Sequence, residues 1–189
     1  MSASKKRLAR AAIWTVSIAL TAGTAAAPAP AFHAAHSAAE QALNRILKAD
    51  ENPPGHIDPT DAVGRRPRTT PPTGAPYLKY LTTPLAKAIL VAEAGEVKAN
   101  CGGVYKSGEL CGMDSDPIVC AQDFPDHYLF RTTQDGGNRV VIEAAWPADP
   151  AGVVEQTTSG AYRLTLSGGV WKIGGISCAG GDRYNWSTR

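Results

Sequence analysis

The chain lacks an apolar run long enough to cross a bilayer. Its most apolar stretch, Ala11 to Ala27, is interrupted by Thr15, Ser17, Thr21, Gly23 and Thr24, and it falls short of the roughly 20 apolar residues a spanning helix needs. Positive charge is also scarce beyond that stretch. Of the 19 Lys and Arg, Lys5, Lys6, Arg7 and Arg10 precede it, whereas all 17 Asp and Glu follow it, so acidic residues slightly outnumber basic ones in the remainder. Only Arg65, Arg66 and Arg68 cluster, within a Pro-rich segment. Binding along a phosphate backbone needs a basic face, so nucleic acid is not an expected partner. There is no Gly-x-Ser-x-Gly elbow, no phosphate-binding loop and no His-Glu-x-x-His helix, which removes the common signatures of hydrolases, nucleotide enzymes and zinc proteases.

What is present first is an export signal. A basic start, the apolar stretch and Ala29-Pro30-Ala31 ahead of Phe32 have the order of a cleaved secretory signal peptide. The reading assigns 1–31 to that signal and 32–189 to a single exported α+β domain of ordinary size. The leader has no consecutive Arg pair, which favours the general secretory route. The first Cys is Cys101, which excludes lipid attachment at the cleavage site. The expected location is periplasmic or secreted, with no stable membrane insertion after cleavage.

An oxidising compartment gives the four cysteines a role, because disulfides persist there. Three connectivities are open. Cys101 and Cys111 flank a short Gly-containing loop and Cys178 ends the last apolar strand, which favours Cys101 with Cys111 and Cys120 with Cys178. Zinc is the rival, but the cysteines are too far apart in sequence for a zinc knuckle. No metal and no cofactor are expected.

Helices come first along the chain. Ala39, Ala42, Leu43, Ile46 and Leu47 form one stripe, with Glu40, Gln41, Asn44 and Arg45 off it, and Ser37 with Glu40 reads as a capping box. The segment 51–76 is a Pro-rich loop, because prolines remove donors and block both helix and central strand. Tyr77 to Leu81 reads as a short helical turn. Thr83 reads as the N-cap of a second helix with Pro84 at its first position, burying Leu85, Ile89, Ala92 and Val97 and fading near Gly95 or Asn100. After a Gly- and Cys-rich stretch the pattern becomes antiparallel strand. Tyr128 to Thr133 alternates weakly, Val140, Ile142, Ala144 and Trp146 share one face, and Tyr162, Leu164 and Leu166 share another. Ser167-Gly168-Gly169 turns into a last strand, Val170 to Cys178, in which Gly174-Gly175 signals a bulge or bend. Helices followed by strands indicate helices packed on one face of a curved antiparallel sheet.

Tyr80-Leu81-Thr82-Thr83-Pro84-Leu85 opening a helix, Asp114-x-Asp116-Pro117 running into Ala121-Gln122-Asp123, and Tyr162-Arg163-Leu164-x-Leu166 followed by Val170-Trp171-Lys172-Ile173 resemble the domain of unknown function 3828 family. The resemblance covers roughly Ser37 to Cys178. It implies a small exported bacterial protein with a nuclear transport factor 2-like, cystatin-like cone. Because such cones host isomerases, dehydratases and non-catalytic modules alike, it implies no one activity.

The densest polar cluster is Asp114, Asp116, Gln122 and Asp123. One of these aspartates could serve as a base at the mouth of a cone, tuned by apolar neighbours such as Phe124 and Trp146; the competing role is turn formation and capping around Pro117. Tyr128 and Trp146 are either sheet core or the lining of an apolar pocket. His33 and His36, three apart, would share a metal if they lay on a helix, but chain ends fray. The functional expectation is a non-enzymatic module that binds a small molecule or an envelope protein. The alternative is an isomerase or lyase-type enzyme with Asp116 or Asp123 as general base.

Overall fold

A computed structural model of the chain describes residues 29–50, 63–121, 125–147, 157–179 and 185–187. Residues 1–28 of the expected signal peptide, residues 51–62 of the expected Pro-rich loop, and Gln122, Asp123 and Phe124 lie outside them. Among the described residues the architecture is α+β, with two α-helices followed by an antiparallel sheet in the order β1-β2-β3-β4-β5.

Helix α1, Ala38–Asp50, starts where the capping box requires. The Glu40 amide donates to Ser37 Oγ at 3.2 Å, and the Ser37 amide donates back to Glu40 Oε2 at 3.1 Å. The expected apolar stripe is buried from Ala39 to Leu47. Glu40, placed off that stripe by periodicity, is also fully buried.

A 3-10 turn at Pro76–Lys79 leads into α2, Thr83–Cys101. Two details of α2 differ from expectation. Its N-cap is Thr82, whose Oγ1 accepts from the Leu85 amide at 3.5 Å, so Pro84 sits one position deeper. The helix also runs past Gly95 to Cys101. Gly95 is on the exposed face, while Glu93, Val97 and Cys101 continue a buried face beyond it, and tertiary burial there outweighs the roughly 1 kcal/mol helical cost of a glycine. Beyond the helix, Val97, Cys101, Tyr105 and Cys111 form a small satellite core.

The sheet comprises β1 (Leu129–Asp135), β2 (Arg139–Trp146), β3 (Thr157–Ser167), β4 (Val170–Cys178) and the short β5 (Asn185–Ser187). Successive strands pair antiparallel, with a register shift in each of the three pairings among β1 to β4. Arg163 faces Gly175 and Leu164 faces Ile173, which leaves Gly174 as the extra residue of the expected bulge. Such shifts bend strands and increase their twist. The main core joins both helices to the inward residues Phe130, Ile142, Tyr162, Leu164, Ile173 and Ile176.

Both sides of the sheet receive chain from the helical half. His33 exchanges two backbone hydrogen bonds with Phe130 on β1, at 2.9 and 2.7 Å. At β4, the Thr82 amide donates to the Ile173 carbonyl and the Ile173 amide to the Tyr80 carbonyl. These pairings occupy donors and acceptors that an open strand would expose.

Disulfides join Cys101 to Cys111 and Cys120 to Cys178, each with Cα atoms 5.3 Å apart. The second ties the loop after α2 to the end of β4. Gly160 makes room for it, because a Cβ there would lie 3.0 Å from Cys120 Sγ and 3.1 Å from the Ser177 carbonyl oxygen. Two disulfides fit an oxidising, non-cytoplasmic environment. Among the described residues no helix is long and apolar enough to cross a membrane.

Candidate functional site

The aspartate cluster is built into a turn. Asp116 Oδ1 accepts from the Ile118 and Val119 amides at 2.7 and 2.8 Å, and the Asp116 carbonyl accepts from the Cys120 amide at 2.9 Å. Tyr162 Oη, from the middle of β3, donates to the Ile118 carbonyl at 2.8 Å and pins that turn to the sheet. Asp116 therefore caps a local fold, and Asp114 is exposed beside it. Gln122 and Asp123 fall outside the described residues. Tyr128 is buried with its ring 6.4 Å from that of Phe130, and Trp146 is packed against the same core. The Trp146 indole nitrogen is buried and has no acceptor among the described residues.

A second polar cluster lies at the start of α1, where His33, His36 and Glu40 converge. The two histidines precede the helix, so helical spacing is not what joins them. The His33–Phe130 pairing draws the incoming chain onto β1, and the capping box then turns it into α1 beside Thr132. Residues Phe130 and Thr132 lie on the same side of β1, because alternate strand residues share a face. Phe130 fills the core, and Thr132 Oγ1 donates to Glu40 Oε1 at 2.8 Å.

Glu40 therefore holds a dense set of partners. Its Oε2 accepts from the His36 and Ser37 amides at 3.2 and 3.1 Å, and its Oε1 accepts from Thr132. His36 Nδ1 is 3.2 Å from Oε2, and His33 Nε2 is 3.8 Å from Oε1. The imidazoles themselves meet Nδ1 to Nδ1 at 3.0 Å. Burial pushes the Glu40 carboxyl up, but the Ser37 amide, the Thr132 hydroxyl, the His36 amide and the His36 imidazole together hold it below the usual carboxylate value. A buried carboxylate thus faces two accessible imidazoles, with side-chain exposures of 36% for His33 and 69% for His36.

This group borders an open recess of about 360 Å³ between the start of α1 and the β1–β2 hairpin. Thr132, Asp135, Val140 and Trp171 form its sheet side, and Pro30 closes part of its rim. Next to it Arg131 pairs with Glu143 across β1 and β2, and the Phe32 ring lies 4.3 Å from the Arg131 guanidinium carbon.

No protein-family model, characterised protein or solved structure matches the chain. The chemistry of the recess is therefore read from its own residues. Glu40 and Thr132 were missed as site residues in the sequence, although the capping box at Ser37 and Glu40 already marked where the carboxylate would turn.

Proposed function

We propose that this chain is an exported, non-enzymatic binding domain of the nuclear transport factor 2-like kind seen in the domain of unknown function 3828 family, and that it takes a small polar ligand in the recess at the start of α1. The leader-like N-terminus and the two disulfides support export. The observation that carries the ligand site is the convergence of a fully buried carboxylate, Glu40, with two accessible imidazoles on a recess of about 360 Å³. That size lies at the lower end of small-molecule pockets, which are roughly 300–1,000 Å³. An ionised carboxylate without water is costly unless it is well paired, and the fold supplies three hydrogen-bond donors to hold it there. Catalysis by Asp116 gains no comparable support, since its Oδ1 is engaged with two backbone amides.

The test is nuclear magnetic resonance of the processed protein while the small-molecule pool of its own compartment is added. The expected result is a set of shifts confined to His33, His36, Thr132 and the Trp171 indole. Shifts confined to another face, or shifts produced only by a protein fraction, overturn the small-ligand reading; the latter outcome supports an envelope protein partner.

A further inference from the structure

We propose that His33, His36 and Glu40 form a site for a divalent transition-metal ion of the zinc type, with its remaining coordination positions open to the recess. This inference rests on the recess being the binding site and names the chemistry of what is held there.

The argument starts from protons. A backbone carbonyl only accepts, so the 2.9 Å contact of His33 Nδ1 with the Ala34 carbonyl oxygen is a hydrogen bond in the tautomer that carries hydrogen on Nδ1. That leaves His33 Nε2 with a bare lone pair on the side of Glu40 Oε1. His36 Nδ1 has two neighbours with conflicting demands, His33 Nδ1 at 3.0 Å and Glu40 Oε2 at 3.2 Å. If it accepts from His33, its lone pair also faces the carboxylate. If it donates to Glu40, two N–H groups meet head-on. Neutral imidazoles therefore leave at least one contact without a proton to join it; either an added proton or a metal cation between the donors relieves it.

The distances suit such an ion. With metal–ligand bonds of about 2.0–2.2 Å in a tetrahedral site, neighbouring donor atoms lie about 3.3 Å apart. The His36 Nδ1 to Glu40 Oε2 separation is 3.2 Å, close to that spacing, and His33 Nε2 to Glu40 Oε1 is longer at 3.8 Å. An outer shell is already in place. The Ala34 carbonyl fixes the His33 tautomer, while Thr132 and the Ser37 amide orient the carboxylate, the arrangement in which second partners raise metal affinity.

The donor set selects the ion. Two imidazoles and one carboxylate suit zinc, nickel or copper(II), whereas calcium and magnesium prefer oxygen alone. The Cys101, Glu109 and Cys111 grouping is no competitor, because both of its sulfurs are in a disulfide. Three protein ligands leave a position for water or for a donor atom of a small ligand.

The experiment is a zinc titration by calorimetry, and a cobalt(II) titration by visible absorption, on the chelator-treated processed protein at neutral pH. One zinc per chain is expected, together with a cobalt spectrum of low coordination number. Thr132→Val should weaken zinc about 10- to 100-fold, and His33→Ala with His36→Ala should weaken it at least as much, while His127→Ala leaves it unchanged. Both histidines are accessible and the capping box survives their loss, so circular dichroism of the double variant should match the parent. No zinc binding by the parent, or equal binding by the double histidine variant, overturns the metal site. Either failure is distinguishable from failure of the recess reading, because ligand-induced shifts at Thr132 and Trp171 are scored without added metal.

Discussion

The Thr132 hydroxyl donates to Glu40 Oε1 at 2.8 Å, across 92 residues of sequence. Through this bond the first sheet strand completes a capping box that helix α1 begins on its own. Helix start and sheet edge are thus joined through the buried carboxylate. Thr132→Val keeps the shape of the side chain but withdraws one donor from a buried acceptor. The expected loss is about 1–3 kcal/mol of stability, read as a lower urea midpoint with an unchanged slope. A loss below a few tenths would show that the bond is made in the structure without stabilising it.

Glu93 plays a similar part beneath the satellite core. It is buried, accepts from Tyr105 Oη at 2.9 Å and from the Met113 amide at 2.8 Å, and occupies the space where a Cβ on Gly112 would fall. Glu93→Leu takes the acceptor from both donors, at an expected cost of about 2–5 kcal/mol. Gly112→Ala should destabilise as well, since the carboxylate has to move away from the new methyl. Thermal melts of the two single variants and of the pair measure the coupling, and additive losses would mean that they act independently.

The Cys120–Cys178 disulfide closes a separation of 58 residues and Cys101–Cys111 one of 10. In the chain-entropy account these contribute about 4 and about 3 kcal/mol respectively. Replacing Cys120 and Cys178 together by Ala should therefore lower the melting temperature more than replacing Cys101 and Cys111. Gly160→Ala should act in the same direction as the first pair, because its methyl would crowd Cys120 Sγ. The reverse ranking would place the energetic weight in the satellite core instead of the sheet.

Asp116→Ala tests whether the aspartate cluster holds the fold. Loss of a carboxylate that accepts from two amides is expected to cost about 0.5–2 kcal/mol, as for other caps, and to loosen the segment that Tyr162 anchors at Ile118. Faster hydrogen exchange confined to residues 116–121 is the expected signature. Unchanged exchange would remove the capping role and return Asp116 to consideration as a functional group.

Export predicts a mature chain that begins at Phe32. N-terminal sequencing after expression with the natural leader checks this directly. Cleavage there would remove Pro30, whose carbonyl oxygen accepts from Arg131 at 3.4 Å and which is one of the residues lining the recess. A product that retains 1–31 would overturn the signal-peptide reading.

Local pattern was sufficient for most of the elements, though not for the short β5, which follows the strand expected to be the last. The α1 stripe, the Ser37–Glu40 box, the alternation along β2 and β3, the Gly174 bulge and the two cysteine pairings all follow from periodicity, capping chemistry and loop length, which act over a few residues or over a simple count of cysteines. What only the tertiary structure decided is which distant groups meet. Glu40 looked solvent-facing because helical periodicity knows only its own cylinder, and it is buried because Thr132 and the chain at His33 cover it from β1. Chain-end position alone makes His33 and His36 part of a fraying end, whereas pairing with Phe130 holds the backbone of His33 on β1. α2 passed Gly95 for the same reason, since burial by the satellite core is a contact between segments. The polar cluster that the sequence displayed most openly, around Asp116, became a turn, and the cluster at the start of α1 was assembled by strand register, a property that no single segment carries.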